Sequence, residues 1–318
     1  MKKQIFFLKI FITLTMGVFA QQESQYSQST YTQLLANPAY AGSDGRICAF
    51  ATQRLQWVGA FSKGAPQVTA FNVDAGIKKF GLGISIENDV LGFEQDLKAN
   101  LSLAYKFSLG KGDLRLGLKW GIVNSTIDAD WKVADGSDAS SDLAIPIAGK
   151  ASDLNFLDFG FGVYYKADGL YLGISSTHIL ESELEFDRDQ EGTSKTVMPV
   201  KRHYYIMAGY NIPFTNPLLE FKPSIFVQSD GLKTQLSFTG LVEYNKKLWG
   251  GVSLRTDKAV IGIFGVKLFK WVDVSYSYDF VVSDIKEYNE GTHEIVMGFA
   301  LDVKRDKTPE KYKSIRFL

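Results

Sequence analysis

Fourteen segments in which every second residue is apolar, joined by alternating short turns and long loops behind an N-terminal export signal, predict an all-β fold. The expected architecture is a 14-stranded antiparallel transmembrane outer-membrane β-barrel with both termini periplasmic. Composition agrees: of 318 residues 14% are aromatic, and 29 Gly stand against 8 Pro, a balance that favours sheet over helix. Lys+Arg and Asp+Glu number 35 each, so no basic surplus marks a nucleic-acid binder. The single cysteine, Cys48, excludes a disulfide framework and a cysteine-rich zinc site.

At the N-terminus, Lys2 and Lys3 precede an apolar run from Ile5 to Val18 that Lys9 interrupts, and Val18-Phe19-Ala20 fits a cleavage site before Gln21. Residues 1–20 are therefore predicted to be a signal peptide. The alternative of a retained anchor is weaker, because the run is short of the roughly 20 apolar residues of a helical span and carries a charge. No cysteine follows the site, so no lipid anchor is expected there. Beyond Ala20 no apolar run approaches about 18 residues, which leaves strands as the means of crossing a bilayer.

The strands follow from periodicity. Leu97, Ala99, Leu101, Leu103, Tyr105 and Phe107 alternate with Lys98, Asn100, Ser102 and Lys106. In Leu114 to Ile122, Leu118 and Trp120 share one face while Arg115 and Lys119 share the other. Segments from Leu157, Leu236, Val272 and Ile295 repeat the rule. In order, strands are predicted over 47–53, 66–76, 80–88, 96–107, 113–124, 156–166, 169–179, 202–212, 219–229, 233–245, 248–256, 259–268, 271–281 and 292–303. Every second connection is short, such as Ile77-Lys78-Lys79 or Phe269-Lys270, with Pro213 to Pro217 the longest of that set. On the other side, Ser125 to Leu154 and Glu181 to Lys201 are long. Phe80, Phe107, Tyr165, Tyr171, Tyr210, Tyr244, Trp249 and Phe269 stand beside the short turns, where they would form half of an aromatic girdle. A soluble β-sandwich also alternates, but its strands run to about 5–6 residues, whereas a tilted strand needs about 9–11 to cross a bilayer. Gly, Ser, Lys, Asp and Asn dominate the inward positions, so the lumen is expected to be wet or filled by polar loops.

The predicted organisation is a signal peptide at 1–20, a periplasmic or lumenal segment with an Asn-Pro-Ala turn at 21–46, the barrel at 47–303, and a basic periplasmic tail at 304–318. In the turn, Pro38 fixes its own φ and restricts Asn37, and Gly42 supplies a positive φ. Asn37 to Ser43 is thus expected to be a rigid lead into the first strand, either sealing it or presenting Asn37, Pro38 and Tyr40 to a partner. Arg54, Gln56 and Trp57 fall where that strand leaves the membrane on the outer side, as an interfacial anchor or a contact for cargo. In the tail, Tyr312, Arg316 and Phe317 are candidates for a docking peptide, unless the extension is simply disordered.

No catalytic residue, cofactor site or metal site is assigned. Ser176 precedes His178 by two residues on one strand face, but nothing nearby marks an oxyanion hole. His178, His203 and His293 lie near outer strand ends, where a polar histidine needs no special role. Gly81-Leu82-Gly83 and Gly160-Phe161-Gly162 begin like nucleotide loops, yet Ile86 and Tyr165 take the third glycine position and no helix follows; small inward strand positions fit better. Asp128, Asp130, Asp135, Asp138 and Asp142 share a loop without the order of an EF-hand, so a solvated acidic loop is expected rather than a Ca²⁺ site.

Several stretches carry a resemblance: Gln25-Tyr26-Ser27-Gln28, then Leu34-Leu35-Ala36-Asn37-Pro38-Ala39-Tyr40-Ala41-Gly42-Ser43, then Arg54-Leu55-Gln56-Trp57-Val58-Gly59 and Gly64-Ala65-Pro66. This order resembles the PorP/SprF family of outer-membrane proteins of the type IX secretion system in Bacteroidetes. Gly81-Leu82-Gly83 to Asn88-Asp89 with Gly92, and the ending Lys313 to Leu318, look like that family too. The resemblance implies a non-enzymatic barrel set in outer-membrane lipid that works in secretion, gliding motility or surface attachment of large adhesins with type B C-terminal domains. Periplasmic lipoproteins of the type IX machinery would be among its partners. A transport barrel for small solutes or apolar ligands is the rival reading.

Overall fold

The computed structural model describes residues 23–59, 64–127, 154–187, 195–256, 259–282 and 290–302. The predicted signal peptide, the acidic loop and the tail with Tyr312, Arg316 and Phe317 lie outside them. A one-turn helix α1 (Gln33–Ala36) and a 3-10 turn (Pro38–Tyr40) come first. The strands follow as β1 (Ile47–Leu55), β2 (Gln67–Ile77), β3 (Phe80–Leu91), β4 (Glu94–Leu109), β5 (Gly112–Ile127), β6 (Leu154–Lys166), β7 (Leu170–Thr177), β8 (Glu183–Asp187) and β9 (Lys195–Pro199). Then come β10 (His203–Tyr210), β11 (Ile212–Pro213), β12 (Leu219–Ser229), β13 (Thr234–Tyr244), β14 (Leu248–Arg255), β15 (Ala259–Phe269), β16 (Val272–Val281) and β17 (Thr292–Leu301).

All but β8, β9 and β11 form one closed antiparallel wall, in which sequential strands pair and β1 meets β17 in register from Ile47↔Leu301 to Leu55↔His293. β10 pairs directly with β12 from Tyr204↔Ser229 to Gly209↔Ser224. β8 and β9 pair only with each other, and the two residues of β11 pair with the start of β12 at Ile212↔Phe221 and Pro213↔Glu220. The wall therefore has the fourteen predicted strands. Their ends differ in places: β4 and β5 each reach 16 residues and pair with one another from Leu109↔Gly112 to Glu94↔Ile127, with β3 alongside β4 as far as Leu91↔Glu94. β7 stops at Thr177, where His178 turns to a φ of 52° and leaves the sheet.

The pleat sends successive side chains to opposite faces, and burial follows it. On β3, Leu82, Ile84 and Ile86 face out while Gly81, Gly83, Ser85 and Glu87 face in. On β5, Leu118 is 59% exposed and its neighbour Lys119 is buried. Taking one Leu, Ile or Phe side chain wholly out of water is worth about 1.5–3 kcal/mol, so a wall covered with such side chains is at rest only against lipid. No helix among the described residues is long and apolar enough to cross a membrane; the strands do it.

The short turns carry their expected chemistry. Asn245 and Lys246 both take φ of 52° and Lys247 N–H donates to the Tyr244 carbonyl at 3.0 Å, the hairpin turn that matches strand twist. Aromatics cluster beside these turns, with Tyr105 edge-on to Phe80 and Phe107, and Trp271 stacked between Phe269 and Phe299. Two predicted girdle members point the other way: Trp249 is buried in the lumen 6.5 Å from Tyr31, and Tyr171 stacks on Tyr164 inside the wall. Both lie on the inward register of their strands, opposite Leu248, Val252 and Leu254 in β14 and opposite Leu172 and Ile174 in β7, so nearness to a short turn does not decide which face a side chain takes.

Candidate functional site

Residues 23–46 do not lie outside the barrel. They run through its lumen, from His178 beyond the long-loop end of β7 to Lys166 at the short-turn end of β6, before turning into β1. Small wall residues make room. A Cβ on Gly81 would strike the Ala41 carbonyl, one on Gly117 the backbone of Pro38 and Ala39, and one on Gly162 the Asn37 side chain. Gly81, Gly83 and Gly162 of the paired glycines are thus inward positions packed against the lumenal segment.

Asn37 is wholly buried. Its Oδ1 accepts from Ala39 N–H at 2.9 Å, capping the 3-10 turn that Pro38 opens, and its Nδ2 donates to the carbonyls of Val163 at 3.1 Å and Ile174 at 3.4 Å. Tyr40 packs edge-on against Tyr164, whose hydroxyl donates to Gln33 Oε1. Gly42, at a φ of 67°, gives its N–H to Asp74 Oδ2 at 2.7 Å. Asn37, Pro38 and Tyr40 are therefore engaged with the wall of their own barrel.

Arg54 lies in the lumen, not at the outer surface, because it is the fourth inward residue of β1 after Cys48, Phe50 and Thr52. Its Nη2 is 3.0 Å from Asp279 Oδ2 and its Nη1 is 3.2 Å from Glu294 Oε2, with Ser27 Oγ beside it. Arg255 reaches Asp279 at 2.8 Å, so two guanidinium groups face two carboxylates. Glu294 accepts the N–H groups of Ser27 at 2.7 Å and Gln28 at 2.9 Å, which fastens the lumenal segment to β17. Gln56 and Trp57 follow at the rim, where Trp57 N–H donates to Thr292 Oγ1 and Val58 N–H to the Gly291 carbonyl.

A second charged group surrounds the start of the segment. Lys98 lies 3.1 Å from both Glu23 and Glu87, Ser24 Oγ donates to Glu87 at 2.9 Å, and Tyr26 donates to Glu87 as well. Burial alone would raise the Glu23 carboxyl, but Lys98 and His178 outweigh it and hold it well below the ordinary glutamate value. At the other end, burial likewise opposes and Lys166 and Arg46 overcome it, so the Asp44 carboxyl is held low. Beside the segment a cavity of about 230 Å³ remains near Tyr31, Tyr171, Lys222 and Trp249.

The inward residues of these networks were visible from alternation, but their partners were not, since Arg54 and Asp279 are separated by 225 positions. His178 and His203 are both buried and converge on Glu23, a grouping for which the sequence has no spacing signal. Among the described residues, Ser176 Oγ has no hydrogen-bond partner and His178 turns instead to Glu23 and Asp158. His293 sits outside the lumen, its Nδ1 2.7 Å from the Tyr276 hydroxyl.

Fold and site together define a class: an outer-membrane β-barrel whose lumen is occupied by its own N-terminal segment. The chain belongs to the family described as type IX secretion system membrane protein PorP/SprF, which it matches over residues 18–299. That family and this fold are those of a secretion-system barrel, not of an enzyme. No curated protein matches the chain. Among solved structures, the Ralstonia pickettii toluene transporter TbuX aligns at 12% identity over 84% of this chain and 92% of its own, with a TM-score of 0.47. The Pseudomonas putida toluene transporter TodX gives 10%, 86%, 93% and 0.47, and the Acinetobacter baumannii outer membrane protein Omp33 gives 6%, 81%, 99% and 0.46. At these identities and scores the transporters' substrates carry no weight for this chain.

Proposed function

We propose that the protein is a non-enzymatic partner barrel of the type IX secretion system, which binds proteins at its two rims and passes nothing through its lumen. The observation that carries this reading is the segment from Glu23 to Arg46, fastened along its length inside the barrel by buried ion pairs and hydrogen bonds. With the lumen so occupied, the rims are the surfaces left for partners. Secreted adhesin or cargo with a type B C-terminal domain would meet the long-loop rim near Gln56 and Trp57. Periplasmic type IX components, lipoproteins among them, would meet the short-turn rim and the tail bearing Tyr312, Arg316 and Phe317.

The test is paired. The native protein in planar bilayers should be electrically silent, and its isolation from outer membrane should bring a large surface protein and periplasmic components with it, identified by mass spectrometry. A steady, solute-selective conductance without such companions would instead support the rival transport barrel.

A further inference from the structure

Glu23, His178 and His203 come from the lumenal segment, the end of β7 and the start of β10, and one ligand atom of each lies within 4.8 Å of the other two. His178 Nε2 is 2.8 Å from Glu23 Oε2. Its other nitrogen, Nδ1, faces Asp158 Oδ1 at 3.2 Å, and Asp158 is held by Lys119 at 3.0 Å. His203 Nδ1 lies 3.0 Å from the Lys201 carbonyl. A carbonyl only accepts, so Nδ1 carries the proton and Nε2 the lone pair. That Nε2 is buried and has no hydrogen-bond partner among the described residues, on a side chain only 1% exposed.

His203 thus has Nδ1 anchored to a carbonyl and Nε2 unpartnered, while His178 has Nε2 against Glu23 and Nδ1 within 3.2 Å of the Asp158 carboxylate, a setting like that around metal-bound histidines. We infer that Glu23, His178 and His203 form a divalent transition-metal site of the Zn²⁺ class. Two imidazoles with one carboxylate suit zinc and its first-row neighbours, whereas Ca²⁺ and Mg²⁺ call for mostly oxygen shells. Three protein ligands leave a fourth tetrahedral position open. Lys98 now balances Glu23 but has Glu87 at the same distance, so it keeps a carboxylate when the metal takes Glu23. Bound there, the ion would clamp the start of the lumenal segment to the two strands that flank the β8–β9 hairpin.

The experiment uses the mature, tag-free barrel in detergent, stripped with chelator and titrated with Zn²⁺ by calorimetry. One saturable equivalent is expected, with affinity at least about 10-fold weaker in His178→Ala, His203→Ala and Glu23→Gln, and unchanged in His293→Ala. Absence of a saturable equivalent, or full affinity in the His203 variant, would overturn the site. Zinc-edge X-ray absorption on the loaded native barrel depends on no variant. Two imidazole nitrogens at about 2.0–2.1 Å support the assignment, and a shell of oxygens alone refutes it.

Discussion

Arg54 on β1 and Glu294 on β17 are direct cross-strand partners in the pair that joins the first and last strands of the barrel, and both are fully buried, with 3.2 Å between Nη1 and Oε2. Because Glu294 also holds the N–H groups of Ser27 and Gln28, one carboxylate ties barrel closure to occupation of the lumen.

Replacing Glu294 with Ala should therefore do two things at once. It leaves two buried guanidinium groups, Arg54 and Arg255, on the single carboxylate of Asp279, a loss on the order of 3–5 kcal/mol for a broken buried pair. It also takes the acceptor from the Ser27 and Gln28 N–H groups. We expect lower urea resistance together with faster hydrogen exchange over residues 24–36. Unchanged exchange in that stretch would mean the segment is held elsewhere.

Gly117→Ala places a methyl group against the backbone of Pro38 and Ala39, which cannot move aside as a side-chain tip can. Overpacking of this kind costs about 1–3 kcal/mol. Gly250→Ala, where an added Cβ has its nearest neighbour at 3.5 Å, serves as control. Proteolysis of the lumenal segment should rise in the first variant only; equal protection in both would show the segment standing further from β5 than described.

Leu118→Asp puts a carboxylate on the lipid face and should impair assembly in the outer membrane, whereas Lys119→Ala, facing the lumen, should assemble. The lysine variant leaves Asp158 with His178 alone, so its effect belongs to the outer end of the lumenal segment rather than to insertion. Heat-modifiable migration of membrane fractions reads both, and identical behaviour would refute the register of β5.

Asp44 governs a pH response at the short-turn end. Its folded carboxyl titrates below its ordinary 3.8, so its contribution is present above about 3.8 and is lost as pH falls through the lower folded value. Amide protection at Ser43 and Gly45, on either side of Asp44, should hold down to that range and then fail. Lys166→Met removes the main cation and should move the failure to higher pH; an unmoved midpoint would place the anchoring elsewhere.

Much of this molecule was legible from its residues alone, and the reason is local. The pleat alternates side chains regardless of the rest of the chain, and lipid accepts only apolar ones, so Leu118 outward and Lys119 inward follow from their own neighbourhood. Fourteen such segments, Gly81 and Gly83 among their small inward positions, fixed strand number and faces. Nearness to a short turn does not set the face, as Trp249 on the inward register of β14 shows, and alternation says nothing about distance. Only closure of the wall set Arg54 beside Asp279 and Glu294, filled the lumen with residues 23–46, and brought Glu23 to His178 and His203. Which inward charges meet depends on how strands far apart in the chain are staggered around a closed circle, a property of the whole ring that no single strand carries.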